Sequence, residues 1–247
     1  MQENKIYEEE YVEVYDFIHG GRGKNYVAEA KTALDLIRSR KPDVSSLLDV
    51  ACGTGSHLLH FREELDDVEG LEISGRMLAL AETKLPGVRL YQSDMREFDL
   101  GRKFDVVTCL FSSIAHLPTV DDLNSALRSF ARHLNPGGVV LVEPFWSADS
   151  FIPGFVTADS VAVDGRAASR LSHSTRDGDA AVIEVQCLVA ESESGIRHLT
   201  ETTRVTLFTG EQYEDSFVQA GCTVERLPGG LSGRGVLVGV LKDSVHG

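Results

Sequence analysis

The residues best suited to chemistry stand in Leu48-Asp49-Val50-Ala51-Cys52-Gly53-Thr54-Gly55. Glycines let a backbone pass close to a ligand, and open α/β sheets bind ligands at the carboxyl ends of their strands. Asp49, Ala51, Gly53, Thr54 and Gly55 are therefore candidate cofactor ligands. A dinucleotide fingerprint needs a small residue three places beyond the second glycine, and Leu58 stands there. Glu72 follows Asp49 by 23 residues. At the end of a second strand it would accept hydrogen bonds from ribose hydroxyls. The turn and the acid together imply a ribose-bearing ligand across the first two strands. In Gln92-Ser93-Asp94-Met95, Asp94 either accepts from an exocyclic adenine amine or caps a short turn. Met95 offers an apolar face to a ring.

Alternating elements must position these residues. The pattern predicts a helix over 26–40, ended by Lys41-Pro42. Strands follow at 46–51, 67–72, 88–91, 104–110 and 139–142, with helices at 57–65, from a Ser74 cap to 85, and at 119–134. Strand and helix in alternation give a doubly wound, Rossmann-like, mostly parallel sheet. Residues 160–208 break the pattern with β-rich runs at 167–174, 180–189 and 197–208, which predict an inserted antiparallel β-sheet. A helix at 211–220 and two strands, 222–227 and 236–241, would then complete a seven-stranded sheet. The first 20 residues suggest one short helix with Tyr7, Tyr11 and Tyr15 in register, either docked on the domain or serving as a lid. The expected division is an α/β cofactor domain, 1–150 and 209–247, and an inserted region, 151–208, for acceptor binding or dimerisation.

Composition excludes other classes. The chain has 247 residues, 42% hydrophobic, and a net charge of −14. That field repels nucleic acid and anionic membrane surfaces. No stretch approaches a membrane span, and the acidic start has no signal-peptide core. Cys52, Cys109, Cys187 and Cys222 show no metal-ligand spacing. They read as buried thiols in a reducing cytoplasm, and no metal is expected.

With Phe104-Asp105-Val106-Val107 and Leu134-Asn135-Pro136-Gly137-Gly138, the glycine turn and its two acids resemble the class I S-adenosylmethionine-dependent methyltransferases. A closer resemblance covers nearly the whole chain. It rests on Tyr15-Asp16, Gly21-Arg22-Gly23-Lys24-Asn25-Tyr26, residues 46–55, Ser93-Asp94-Met95-Arg96, Phe111-Ser112-Ser113-Ile114-Ala115-His116, Val142-Glu143-Pro144-Phe145-Trp146 and residues 229–235. These resemble the nucleotide-sugar amino N,N-dimethyltransferases of antibiotic deoxysugar pathways. The resemblance implies S-adenosylmethionine as cofactor, a dTDP-linked amino sugar as acceptor, and a homodimer. It implies that Glu72 holds the ribose and that the glycine turn faces the methionine part. Tyr15 is expected to line the cofactor pocket. Relatives carry glycine where this chain has Ser93 and Ala115, and Trp or Pro near Phe145 and Leu231, so the sugar itself stays open.

Methyl transfer from a sulfonium needs a neutral amine aligned with methyl and sulfur. His116 and Tyr7 match residues that stand near the amine in the resembled family. His116 either takes the proton, positions the amine or caps the following helix. Tyr7 either hydrogen-bonds the amine or is a surface aromatic. Arg234, in the Ser232-Gly233-Arg234-Gly235 turn, is the expected diphosphate ligand. Arg170 with Ser172 is a second candidate or an ordinary pair of strand residues. Trp146, the single tryptophan, walls the sugar, stacks on the base or serves the core. An alternative is a small-molecule O- or N-methyltransferase without a nucleotide acceptor. An NAD-dependent dehydrogenase is opposed by Leu58 and by the lack of a Tyr-x-x-x-Lys pair. A non-catalytic sensor would bind the cofactor without turnover.

Overall fold

The computed structural model describes residues 9–242. They form two compact units, one of residues 26–149 and 207–242 and a smaller one of 9–25 and 150–206. Residues 9–25 thus group with the inserted sheet, whereas the sequence pattern places them in the α/β domain. Tyr7 lies outside the described residues.

In the larger unit, β1 (Ser46–Val50), β2 (Asp67–Glu72), β3 (Arg89–Gln92), β4 (Phe104–Cys109) and β5 (Leu134–Val142) run parallel. Two further strands, β10 (Cys222–Leu227) and β11 (Val236–Leu241), form an antiparallel hairpin that joins through β11 to β5. The order is β10-β11-β5-β4-β1-β2-β3. Strands β1 and β4 are buried along their whole length, as strands covered on both faces must be. Alternate residues of β1 enter different cores. Leu47 packs with Ala30, Leu34 and Ile37 of α3 (Tyr26–Arg38), Leu58 and Phe61 of α4 (Ser56–Phe61) and Ala81 of α5 (Gly75–Lys84). Leu48 packs with Leu127 and Phe130 of α6 (Val120–Arg132) and Phe217 of α7 (Gly210–Gln219).

The caps explain where helices start. Ser74 accepts from the Met77 amide and Thr119 from the Asp122 amide. Thr209 and Gln212 form a reciprocal capping box that sets α7, where the sequence reading named no cap.

The smaller unit is a four-stranded antiparallel sheet of β6 (Phe155–Val163), β7 (Arg166–Asp177), β8 (Ala180–Glu191) and β9 (Gly195–Thr206). Strand β6 was not foreseen. Two short helices, α1 (Glu9–Val12) and α2 (Tyr15–Gly21), replace the single expected one. Val12 and Val14 are both buried. Two residues apart, they would point to opposite sides of a continuous helix, so the chain turns between them.

Candidate active site

The turn after β1 is made of left-handed residues. Ala51 and Gly53 have φ of 57° and Gly55 has 76°. A Cβ on Gly55 would also lie 2.5 Å from Leu85 Cδ1, which would have to move aside, so the positive φ is the stronger demand for glycine there. Around Gly53 a Cβ would meet open space, which leaves the turn accessible to a ligand. The room Leu58 needs comes from the next strand. A Cβ on Gly70 of β2 would stand 2.6 Å from Leu58 Cδ1. The small residue that a dinucleotide turn needs on its helix is here on β2.

Glu72 is buried and accepts from the Gly53 amide through Oε2 (2.9 Å) and from the Ser74 amide through Oε1 (2.8 Å). Its carboxylate ties the glycine turn to the end of β2, and each oxygen keeps a second lone pair for a hydroxyl. Burial raises its pKa against these amide bonds. Asp49 is held by the Thr108 hydroxyl at 2.7 Å. Burial pushes its carboxyl up to about 6, opposed by His57 and the Thr108 bond. His57 pairs with Glu29 at 2.8 Å, and both are buried.

Asp94 caps a turn: it accepts from the Arg96 amide at 2.9 Å and from the Arg96 guanidinium at 2.6–3.1 Å. Burial works to raise its pKa, but the Arg96 bonds and charge outweigh it and the net shift is downward. Arg96 also reaches Asp122 at the start of α6 (3.0 Å). Met95 packs against the α6 side of the core.

His116 ends a 3-10 turn, Ser113–His116, just after β4. Burial alone lowers its pKa to about 4, so it is neutral at pH 7. The preceding Phe111 and Ser112 both have positive φ, 52° and 65°, which is strained for residues with side chains. Glu143, fully buried after β5, secures this kink by accepting from the Phe111 amide at 2.8 Å. The Ser112 hydroxyl donates to the Pro144 carbonyl at 2.9 Å. The same Glu143 receives the Ser232 hydroxyl and lies 3.9 Å from Arg234. Arg234 donates to Ser112 and Ser232, both at 3.2 Å. The rings of Phe111, Phe145 and Trp146 stand 5.8–6.0 Å from its guanidinium carbon. Trp146 is 39% exposed, so it is not a core residue.

Asp49, Ala51, Gly53, Thr54, Gly55, Glu72, Asp94, Met95, His116, Trp146 and Arg234 all belong to the larger unit. Tyr15, Arg170 and Ser172 belong to the smaller one. There Tyr15 is buried beside Tyr11 and packs on the His19 ring at 4.3 Å. Arg170 and Ser172 are buried on the inner face of β7, not solvated. Sequence reasoning assigned no role to Glu143 or Arg96. A lone acid directly after the apolar run 139–142 was the available signal for Glu143. Among the described residues no group of three His, Cys, Asp or Glu could hold a metal.

A sheet of this order, with a glycine turn after β1 and an acid closing β2, defines a class I methyltransferase. The family described as a methyltransferase domain matches residues 47–138. The chain is 52% identical to the dTDP-3-amino-3,4,6-trideoxy-alpha-D-glucopyranose N,N-dimethyltransferase of Streptomyces venezuelae, over 95% of this chain and 99% of that one. It is 45% identical to the dTDP-4-amino-2,3,4,6-tetradeoxy-D-glucose N,N-dimethyltransferase of Saccharopolyspora spinosa, over 96% and 95%. The crystal structure of Streptomyces venezuelae DesVI matches with TM-score 0.92 at 51% identity, over 95% of this chain and all of that one. CalS10, an amino pentose methyltransferase from Micromonospora echinaspora solved with S-adenosylmethionine bound, matches with TM-score 0.87 at 43% identity, over 97% and 99%. The chain belongs to this family of sugar N,N-dimethyltransferases.

Proposed function

We propose that the chain transfers two methyl groups from S-adenosylmethionine to the amine of a dTDP-linked 3-amino deoxysugar in antibiotic biosynthesis. The observation that carries the reading is the pairing of the Glu72-braced glycine turn with a neutral histidine at the same end of the parallel sheet. The higher identity to the 3-amino enzyme, 52% against 45%, favours position 3.

S-adenosylmethionine supplies an electrophilic methyl on a sulfonium. Glu72 would hold its ribose hydroxyls. Asp49, Ala51, Gly53, Thr54 and Gly55 would face its methionine end, and Asp94 and Met95 its base. The open space beside Gly53 fits such a group. His116 acts by position. Moving a proton from a lysine-like ammonium near 10.4 to an imidazole near 4 runs uphill by roughly 9 kcal/mol. The imidazole instead accepts a hydrogen bond from the neutral amine and fixes its lone pair for in-line attack. Trp146 and Arg234 would contact the acceptor. Four free, buried cysteines fit a reducing cytoplasm. A homodimer is consistent with the exposed Val156, Leu171 and Leu188 of the inserted sheet.

The test is mass spectrometry of dTDP-linked 3-amino and 4-amino sugars after incubation with enzyme and cofactor. Gain of two methyls on the 3-amino isomer supports the reading. No gain on either, with cofactor binding shown by calorimetry, rejects it.

A further inference from the structure

The turn that carries His116 is shaped from outside. It follows directly on Phe111 and Ser112, whose φ of 52° and 65° is strained for residues with side chains. Such strain persists only where surrounding groups impose it. Those groups come from two other loops of the larger unit. Strand β5 pairs in parallel with β4, Val142 beside Cys109, and the Glu143 amide extends the ladder to the Cys109 carbonyl at 2.9 Å. That register brings Glu143 alongside the kink, where its Oε2 accepts from the Phe111 amide at 2.8 Å. The next residue, Pro144, accepts from the Ser112 hydroxyl through its carbonyl at 2.9 Å.

Glu143 Oε1 meets the third loop, between β10 and β11. It accepts from the Ser232 hydroxyl and lies 3.9 Å from Arg234 Nη1. Gly230 lets this loop fold back on itself. Its φ is 54°, and a Cβ there would lie 2.7 Å from the Gly235 carbonyl carbon. Arg234 also donates to the Ser112 oxygen at 3.2 Å, so the network returns to the kink. The side chain at 143 thus faces an amide, a hydroxyl and a guanidinium, all of them donors. A carboxylate accepts at both oxygens, whereas a carboxamide would bring donors of its own. Glu143 is wholly buried, so its charge needs the arginine beside it. The cofactor turn owes nothing to this network, because Glu72 braces it separately.

We propose that Glu143 is a positioning residue for methyl transfer: it holds the Phe111–Ser112 kink that presents His116 and ties that kink to the Ser232–Arg234 loop. Glu143 acts through His116 and need not touch the reacting atoms. Its part in catalysis rests on the function proposed above. Its hold on the placement of His116 does not.

Glu143→Gln keeps an oxygen for the Phe111 amide but turns N–H groups toward Ser232 and Arg234. It should lower kcat on a dTDP-linked amino sugar by roughly tenfold or more, the scale of a misplaced group near the reacting atoms. The calorimetric Kd of S-adenosylmethionine should change less than about twofold, and the His116 ring resonances should move in NMR spectra. A double-mutant cycle separates positioning from general damage. In a His116→Ala background, Glu143→Gln should lower kcat by less than about twofold further, since the group it positions is gone. Ser232→Ala is a milder variant at an exposed residue. It should lower kcat about threefold and move the same resonances, and it decides the matter if Glu143→Gln does not fold. Equal losses from Glu143→Gln in both backgrounds overturn the proposal, as does wild-type kcat with unmoved His116 resonances in either variant. A wild type that methylates no nucleotide amino sugar rejects the function proposed above. In that case a His116 shift in Glu143→Gln, read without acceptor, still supports the link, and its absence rejects it.

Discussion

One histidine in each unit has its pKa pushed well down, and the two are lowered by different means. His116 in the larger unit is lowered to about 4 by burial alone. His19 in the smaller unit is lowered to about 3 by burial and then by three cations. The same contrast runs through the arginines. Arg234 is balanced by a buried carboxylate and flanked by rings, whereas Arg170 and Arg22 share Asp159. In the smaller unit three cations and one acid act on a single buried ring, whereas burial alone acts on His116.

The largest test of this contrast is removal of the carboxylates. Glu143→Ala should destabilise the larger unit by about 3–5 kcal/mol, because it strands Arg234 and the Phe111 amide. Denaturant titration at pH 7 reads this. Asp159→Asn should cost less, since its pair with Arg22 is partly exposed, although the buried Arg170 then loses the carboxylate 3.8 Å away. Equal losses from the two variants would show that both units treat charge alike.

Stability against pH sharpens the comparison next. A histidine whose folded pKa lies below its unfolded value of about 6.5 is fully accommodated above that pH. The stability is lost as pH falls from about 6.5 to the folded pKa. For His116 the window ends near 4, a loss of about 3 kcal/mol. Asp49, raised to about 6, has the opposite slope, costing stability as pH rises from about 4 to 6. The two slopes oppose each other, and His19, with a folded pKa of about 3, adds a further loss on the acid side. Asp49→Asn keeps an acceptor for Thr108 and should steepen the loss of stability towards acid. His116→Gln should flatten it. Thermal unfolding from pH 4 to 7 separates them, and parallel curves for both variants would contradict the assignment.

How much was legible before the structure follows from these packing differences. Strands β2, β10 and β11 match their expected bounds, because each runs between turn residues with enough apolar positions to stand out. Strand β6 was invisible because its inner positions include Thr157 and Asp159, so no apolar alternation marks it. The sequence marks Glu72 as an acid that ends a strand near a glycine turn. Its bracing of Gly53 and Ser74 needed coordinates. Glycine-rich context favoured Arg234 over Arg170 as the phosphate ligand. The buried Glu143 that balances Arg234 is 91 residues away in sequence, and no local pattern shows that pairing.

A smaller effect isolates the cations. Arg170→Met should raise the His19 pKa and leave that of His116 unchanged, because only His19 feels that charge. Histidine ring resonances followed through a pH titration give both values in one sample. A shift of His116 would mean that Arg170→Met disturbs packing well beyond its own cluster.

The smallest expected effect concerns catalysis itself. His116→Asn keeps a side chain that can accept a hydrogen bond and removes one that can take a proton. If position is what the imidazole supplies, kcat should stay within about tenfold of wild type. A general base, by contrast, contributes about 10²–10⁴-fold. The pH profile discriminates further. With a histidine near 4, the rate above pH 6 should follow the loss of the acceptor's own ammonium proton, with the same midpoint in wild type and His116→Asn. A midpoint near 6.5 that vanishes in the variant would return the proton to His116.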